Sequence, residues 1–226
     1  MTSSTDITKL CSTPDFHRNE EWAGQFLTAL AQTRLELTAP EPQRGPDGWP
    51  YMMVKTGHQG TEPLPRLAEW VREKGIGLAV NTHKELPDYI LTYGMLWLFC
   101  ERGVFLEPTQ TVPPGSTNTF HEGAAVYVGP PSESYLPLYV RHILSEFFLQ
   151  QGIKEPRLIM LSRDQKHWDL CFSLESLGSP PEKEHRGILE ALSWFLPNHY
   201  SLMLISEKGL PEFYPLKRVA DSGQEA

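Results

Sequence analysis

Basic residues are in the minority: 20 Lys and Arg stand against 28 Asp and Glu, for a formal charge of −8. The deficit is spread evenly, since residues 1–110 and 111–226 each carry 10 basic and 14 acidic side chains. There is no basic tail, arm or stripe, which argues against a nucleic-acid or anionic-membrane partner. Long apolar runs are missing too. The most apolar stretch, Tyr93 to Cys100, is about eight residues, far short of the ~20 that span a bilayer. The start, Met1 to Ile7, has neither a cationic cluster nor an apolar run, so no secretory signal is expected. Cysteine is scarce: Cys11, Cys100 and Cys171 are odd in number and far apart. They make neither a disulfide framework nor a metal knuckle, which fits a reducing cytoplasm.

Familiar catalytic strings are absent as well. No Gly-x-Ser-x-Gly elbow, Rossmann glycine fingerprint, His-Glu-x-x-His or Cys-x-x-Cys occurs. The eight histidines are scattered, and His142 with Glu146 has the spacing of a surface ion pair, so no metal or other cofactor is expected. The turn Gly129–Pro137 comes nearest to a phosphate loop. It lacks the Lys-Ser/Thr pair, and Pro130, Pro131 and Pro137 remove amides that a cradle needs. It reads instead as a helix start, capped by Ser132 or Ser134 with a proline in the first turn. Among the cysteines, Cys100 sits in an aromatic helix, whereas Cys171 falls on the strand face opposite Trp168, Leu170 and Phe172 and is expected at the sheet surface.

What is present is organised. Hydrophobic content of 40%, with 11% aromatic, supports a sizeable core. Periodicity predicts a helix over Glu20–Thr33, strands at Arg34–Thr38 and Tyr51–Thr56, and a helix over Glu62–Lys74. Strands at Ile76–Asn81 and Tyr89–Tyr93 and a helix at Met95–Arg102 follow. Residues 111–123 lie in a Pro/Thr-rich stretch and read as a linker between an N-terminal α/β domain, 1–110, and a C-terminal domain, 124–226. In the latter, strands at Ala124–Val128, Arg157–Ser162, Trp168–Glu175 and Leu202–Ser206 alternate with helices at Pro137–Gln151 and Glu182–Leu196. Glu212–Leu216 would add an edge strand. The predicted class is α/β of the α+β type, the C-terminal half being β-α-β-β-α-β and ferredoxin-like with one sheet face left open.

Aromatic residues crowd the first half. Trp49 lies in the Gly/Pro loop Gly45–Pro50, with Tyr89, Tyr93 and Trp97 beyond it. Most such rings belong to cores, but tyrosine and tryptophan are favoured at interfaces. Trp49, Tyr89, Tyr93 and Trp97 are therefore the candidate interaction patch.

Two sets of blocks run in a known order. The first is Phe26–Leu30, Leu35–Leu37, Tyr51–Thr56 and Ile76–Asn81. The second is Val128–Pro131, Tyr135–Pro137, the helix through Phe148, and Arg157–Met160. Together they resemble the bacterial SseB family, which has an N-terminal and a C-terminal SseB domain. Thr82 stands where the family often has a proline after its Asn, and the aromatic run Tyr93–Phe99 replaces a loop of small residues. The resemblance implies the two-domain division and brings no catalytic residue. The expected function is a non-enzymatic cytoplasmic binding module, adaptor or inhibitor, with another protein as partner and a homodimer left open. The alternative is a small enzyme with a site between the halves, drawing on His83, Asp88, Asp169 or Cys171.

Overall fold

The structure, a computed structural model, describes residues 6–57, 59–108 and 126–217. The chain divides into two compact units, Met1–Leu106 and Glu107–Ala226. The expected linker, 111–123, lies outside the described residues. No helix among the described residues is long and apolar enough to cross a membrane.

In the first unit, α1 (Ile7–Cys11) and a 3-10 turn (Asp15–His17) precede α2 (Glu20–Leu30). The Asn19 side chain accepts the Trp22 amide proton at 2.9 Å, satisfying an otherwise orphaned donor at the start of α2. Trp22, Phe26, Leu27 and Leu30 then recur at helical spacing and are buried. Strands β1 (Arg34–Leu37), β2 (Gln43–Arg44), β3 (Pro50–Thr56) and β4 (Glu62–Pro63) lead into α3 (Leu64–Arg72). The predicted helix over Glu62–Lys74 starts two residues late because Glu62 and Pro63 pair with Leu35 and Arg34. Strand β5 (Gly77–Val80), β6 (Tyr89–Leu91) and α4 (Tyr93–Arg102) complete the unit. The sheet runs β4-β1-β3-β5-β6, with β2 on β3. Among the described strands of this sheet only β3 and β5 are parallel, with α3 in the connection between them.

The second unit contains β7 (Tyr127–Gly129), α5 (Leu138–Gln150), β8 (Arg157–Ser162), β9 (Asp169–Ser173), α6 (Glu182–Phe195), β10 (Ser201–Ile205) and β11 (Tyr214–Pro215). The α+β class and the β-α-β-β-α-β element order are as expected, but the strands are not interleaved as in a ferredoxin-like sheet. Their order is β10-β9-β8, with β7 and β11 both on the far side of β8. The one parallel pair among its described strands, β9 and β10, is adjacent, so no described strand is inserted between its members. Nor is the second sheet face open. Phe213, Leu210 and Tyr214 of the C-terminal segment pack with Ile159, Leu161 and Cys171. Cys171 is fully buried, contrary to the surface position expected of it. The polar-looking phase of β9, Cys171 and Ser173, is therefore a second inner face.

The loop before α5 is also built differently. Ser132 accepts the Tyr135 amide proton and closes a separate turn, and Pro137 stands at the N-cap of α5 with no side-chain cap. The buried Arg141 side chain donates to the carbonyls of Pro131 (2.7 Å) and Leu136 (2.8 Å). This loop aims acceptors inward at a cation, the reverse of a phosphate cradle.

Candidate functional site

The four rings singled out from sequence do not form one open patch. Thr92 caps α4 by accepting the Met95 amide proton. Tyr93 and Trp97, four apart on that helix, are buried at 0% and 2% exposure. The Tyr93 hydroxyl donates to the Arg72 carbonyl at 2.6 Å. Tyr89 is half-buried, its ring stacked on Phe26 at 5.5 Å, and burial raises its phenol above the ordinary value. Trp49 is half-buried beyond Gly48, whose φ of +84° suits glycine. The Asp47 carboxylate accepts from the Trp49 amide (3.1 Å) and the Tyr51 hydroxyl (2.6 Å), fixing this turn. Trp49 enters β3 at its N-terminal end. Tyr89 faces Val80, whose other partner is Val54, near the C-terminal end of β3. At ~3.3 Å per residue, the two ends are roughly 16 Å apart.

The densest polar cluster lies at the C-terminal ends of the parallel strands. Asn81 takes a left-handed conformation (φ +60°), one that asparagine tolerates better than most residues. Its Oδ1 accepts the Thr56 amide at 2.9 Å, and its Nδ2 donates to Thr56 Oγ1 (2.8 Å) and Asp88 Oδ2 (2.6 Å). The Asp88 carboxylate has no exposure and also receives Arg18 Nη2 (2.7 Å) and Lys84 Nζ (2.6 Å). Burial works to raise its pKa, but the hydrogen bonds from Lys84, Asn81 and Arg18 outweigh it and hold Asp88 below the ordinary carboxylate range. Lys84 also donates to the Cys11 carbonyl at 2.8 Å. The cluster thus fastens the segment carrying α1 onto the ends of β3 and β5.

Its chemistry is that of a fastening. Burial pushes the Cys11 thiol up, so the reactive thiolate is disfavoured. Burial likewise pushes Cys100 to about 11 and Cys171 to about 12. Asp88 is committed to two cations and an amide, and Asp169 accepts from Ser201. No group of three or more His, Cys, Asp or Glu placed to hold a metal occurs among the described residues.

A groove in the first unit has a different character. Leu37, Pro40, Met52, Glu62, Arg66, Leu67 and Trp70 enclose about 220 Å³. Met52 from β3 and Leu67 from α3 are buried and supply an apolar floor, while Trp70 forms a wall at 43% exposure. Lys74 Nζ lies 4.9 Å from the centre of the Trp70 ring. The Arg66 side chain is 79% exposed and only loosely paired with Glu62, at 4.0 Å. Sequence reading passed over Trp70. The available signal was an aromatic off the apolar stripe Leu64, Leu67, Ala68 and Val71.

The backbone at this groove is decisive. The Thr38 amide donates to the Met53 carbonyl at 3.0 Å. Antiparallel strands alternate the direction of their hydrogen bonds, so Glu36 and Thr38 face β3 while Leu35 and Leu37 face the other way. The Leu35 carbonyl is met there by the Thr61 amide at 3.2 Å. Strand β4 pairs only with Arg34 and Leu35. Leu37 therefore turns its N–H and C=O to an edge that β4 does not reach, beside Arg66 and Trp70.

Fold and site together define a two-unit α+β protein with a strand edge opening into an apolar groove. Set against protein-family models, curated proteins and solved structures, the chain gives no match.

Proposed function

We propose that the chain is a cytoplasmic protein-binding module whose groove takes an extended segment of a partner by strand addition to β1. The observation that carries this reading is the outward-facing backbone of Leu37 at the mouth of the groove. Main-chain hydrogen bonds to an open edge supply affinity, and pockets for alternate side chains supply specificity. Leu37, Met52, Leu67 and Trp70 suit an aliphatic or proline side chain. Arg66 and Lys74 suit an acidic residue beside it, since cations on one surface select anions on the other. This places the contact surface away from Trp49, Tyr89, Tyr93 and Trp97. An adaptor or inhibitor role and the SseB resemblance belong to the same proposal.

The test is a selection of displayed random dodecapeptides on the full chain, with Trp70→Ala as counter-target. Enriched peptides are expected to combine aliphatic residues with an acidic one and to lose affinity for Trp70→Ala by ~30-fold or more, the scale of an interface hot spot. Failure of enrichment, or equal binding to a folded Trp70→Ala, would overturn the reading.

A further inference from the structure

Apart from β2 and β4, the first unit runs α2-β1-β3-α3-β5, and the second runs α5-β8-β9-α6-β10. In both, an antiparallel pair (β1 with β3, β8 with β9) is followed by a helix and a strand parallel to its second member. The outer edges of β1 and β8 match residue by residue. Arg34 and Leu35 stand opposite Pro63 and Glu62, as Arg157 and Leu158 stand opposite Pro215 and Tyr214. The Leu64 amide donates to the Thr33 carbonyl (3.2 Å), and the Leu216 amide to the Pro156 carbonyl (2.9 Å). Leu37 therefore holds the place in β1 that Met160 holds in β8.

In the second unit that place is filled. The Leu174 amide donates to the Ile205 carbonyl at 2.9 Å, so Leu174, Phe172 and Leu170 face β10. Cys171 and Asp169 then face β8, and their partners Ile159 and Leu161 face β9. Leu158, Met160 and Ser162 turn their N–H and C=O outward, as Leu35 and Leu37 do. Strand β7 takes this edge antiparallel, with Gly129 opposite Met160 and Tyr127 opposite Ser162. It ends at Pro130 and Pro131, short of Tyr214. Met160 is 5% exposed, whereas Leu37, with no described strand opposite it, is 38% exposed.

Glu62, opposite Leu35, sets the same stop for a strand entering beside Leu37. In an antiparallel entry, the residue opposite Leu37 exchanges both backbone bonds with it. Its side chain points to the same sheet face, into the groove of Met52, Leu67 and Trp70. The next residue turns its N–H away from β1. A proline there loses no bond to β1 and holds the residue before it extended.

We infer that the partner segment runs antiparallel to β1 in the register of β7, with an aliphatic residue opposite Leu37 and a proline directly after it. This rests on the strand-addition reading and specifies the direction and sequence of its ligand.

The tightest displayed peptide, carrying a nitroxide before or after its aliphatic anchor, tests the direction by NMR on the isotope-labelled full chain. The label after the anchor is expected to broaden the Arg34 amide more than that of Ala39, and the label before it the reverse. Proline at the anchor should weaken binding about tenfold, by removing the N–H that the Leu37 carbonyl accepts, whereas proline directly after it should not. Reversed broadening, or loss of binding with proline after the anchor, would overturn this inference and leave strand addition standing. The absence of any peptide that binds at the groove would overturn both.

Discussion

Asp88 is a carboxylate with no exposure that touches two cations and an amide, and its worth depends on remaining ionised. Its folded pKa is depressed. The stability it contributes is therefore complete above the unfolded value of about 3.9 and is lost as pH falls through the lower folded value. Melting temperatures measured below about pH 4 should fall more steeply in wild type than in Asp88→Asn, which has no such carboxylate to protonate. Equal slopes would show that Asp88 is not coupled to folding. None of this cluster was legible as a cluster in the sequence. Cys11, Arg18, Thr56 and the trio Asn81, Lys84 and Asp88 come from four segments, and the parallel register of β3 and β5 brings the strand ends together. Trp70 shows the opposite case. It was readable as an aromatic off its helix stripe, whereas Tyr93 and Trp97 were proposed as contacts and are buried, because the Thr92 cap starts α4 early enough to put both on one helical face.

At the scale of elements, local pattern carried far. The helices over Glu20–Leu30 and Glu182–Phe195 and the strand at Arg157–Ser162 follow from apolar spacing, capping and proline placement. Strand adjacency did not follow, because pairing order depends on contacts remote in sequence. The burial of Cys171 is the sharpest example. Its alternation pointed outward, yet Leu210 and Phe213, some forty residues later, close over that face. Native Cys171 should therefore resist alkylation by iodoacetamide, being both buried and held protonated, with a pKa near 12. Phe213→Ala should speed its modification, at a stability cost of ~3–5 kcal/mol. Fast labelling in the native wild type, followed by mass mapping to Cys171, would contradict the covering role of the C-terminal segment.

For the whole molecule, β1 is set apart from the other strand edges by what surrounds its outward-facing backbone. Leu37 sits beside a groove lined by apolar side chains with Arg66 and Glu62, and Lys74 lies against the Trp70 ring; in the proposed reading it takes a foreign segment bearing an acid. The net charge of −8 gives no clue to this site, since it is split evenly between the two halves of the sequence. A strand-addition site needs backbone geometry to be seen, and composition holds none. The most direct measurement of the central claim is amide hydrogen exchange at Leu37, read by NMR with and without the tightest peptide from the display selection. Strand addition predicts marked slowing of the Leu37 amide in wild type and no slowing in Trp70→Ala at the same peptide concentration. A peptide that binds while the Leu37 amide exchanges at its free rate would contradict it.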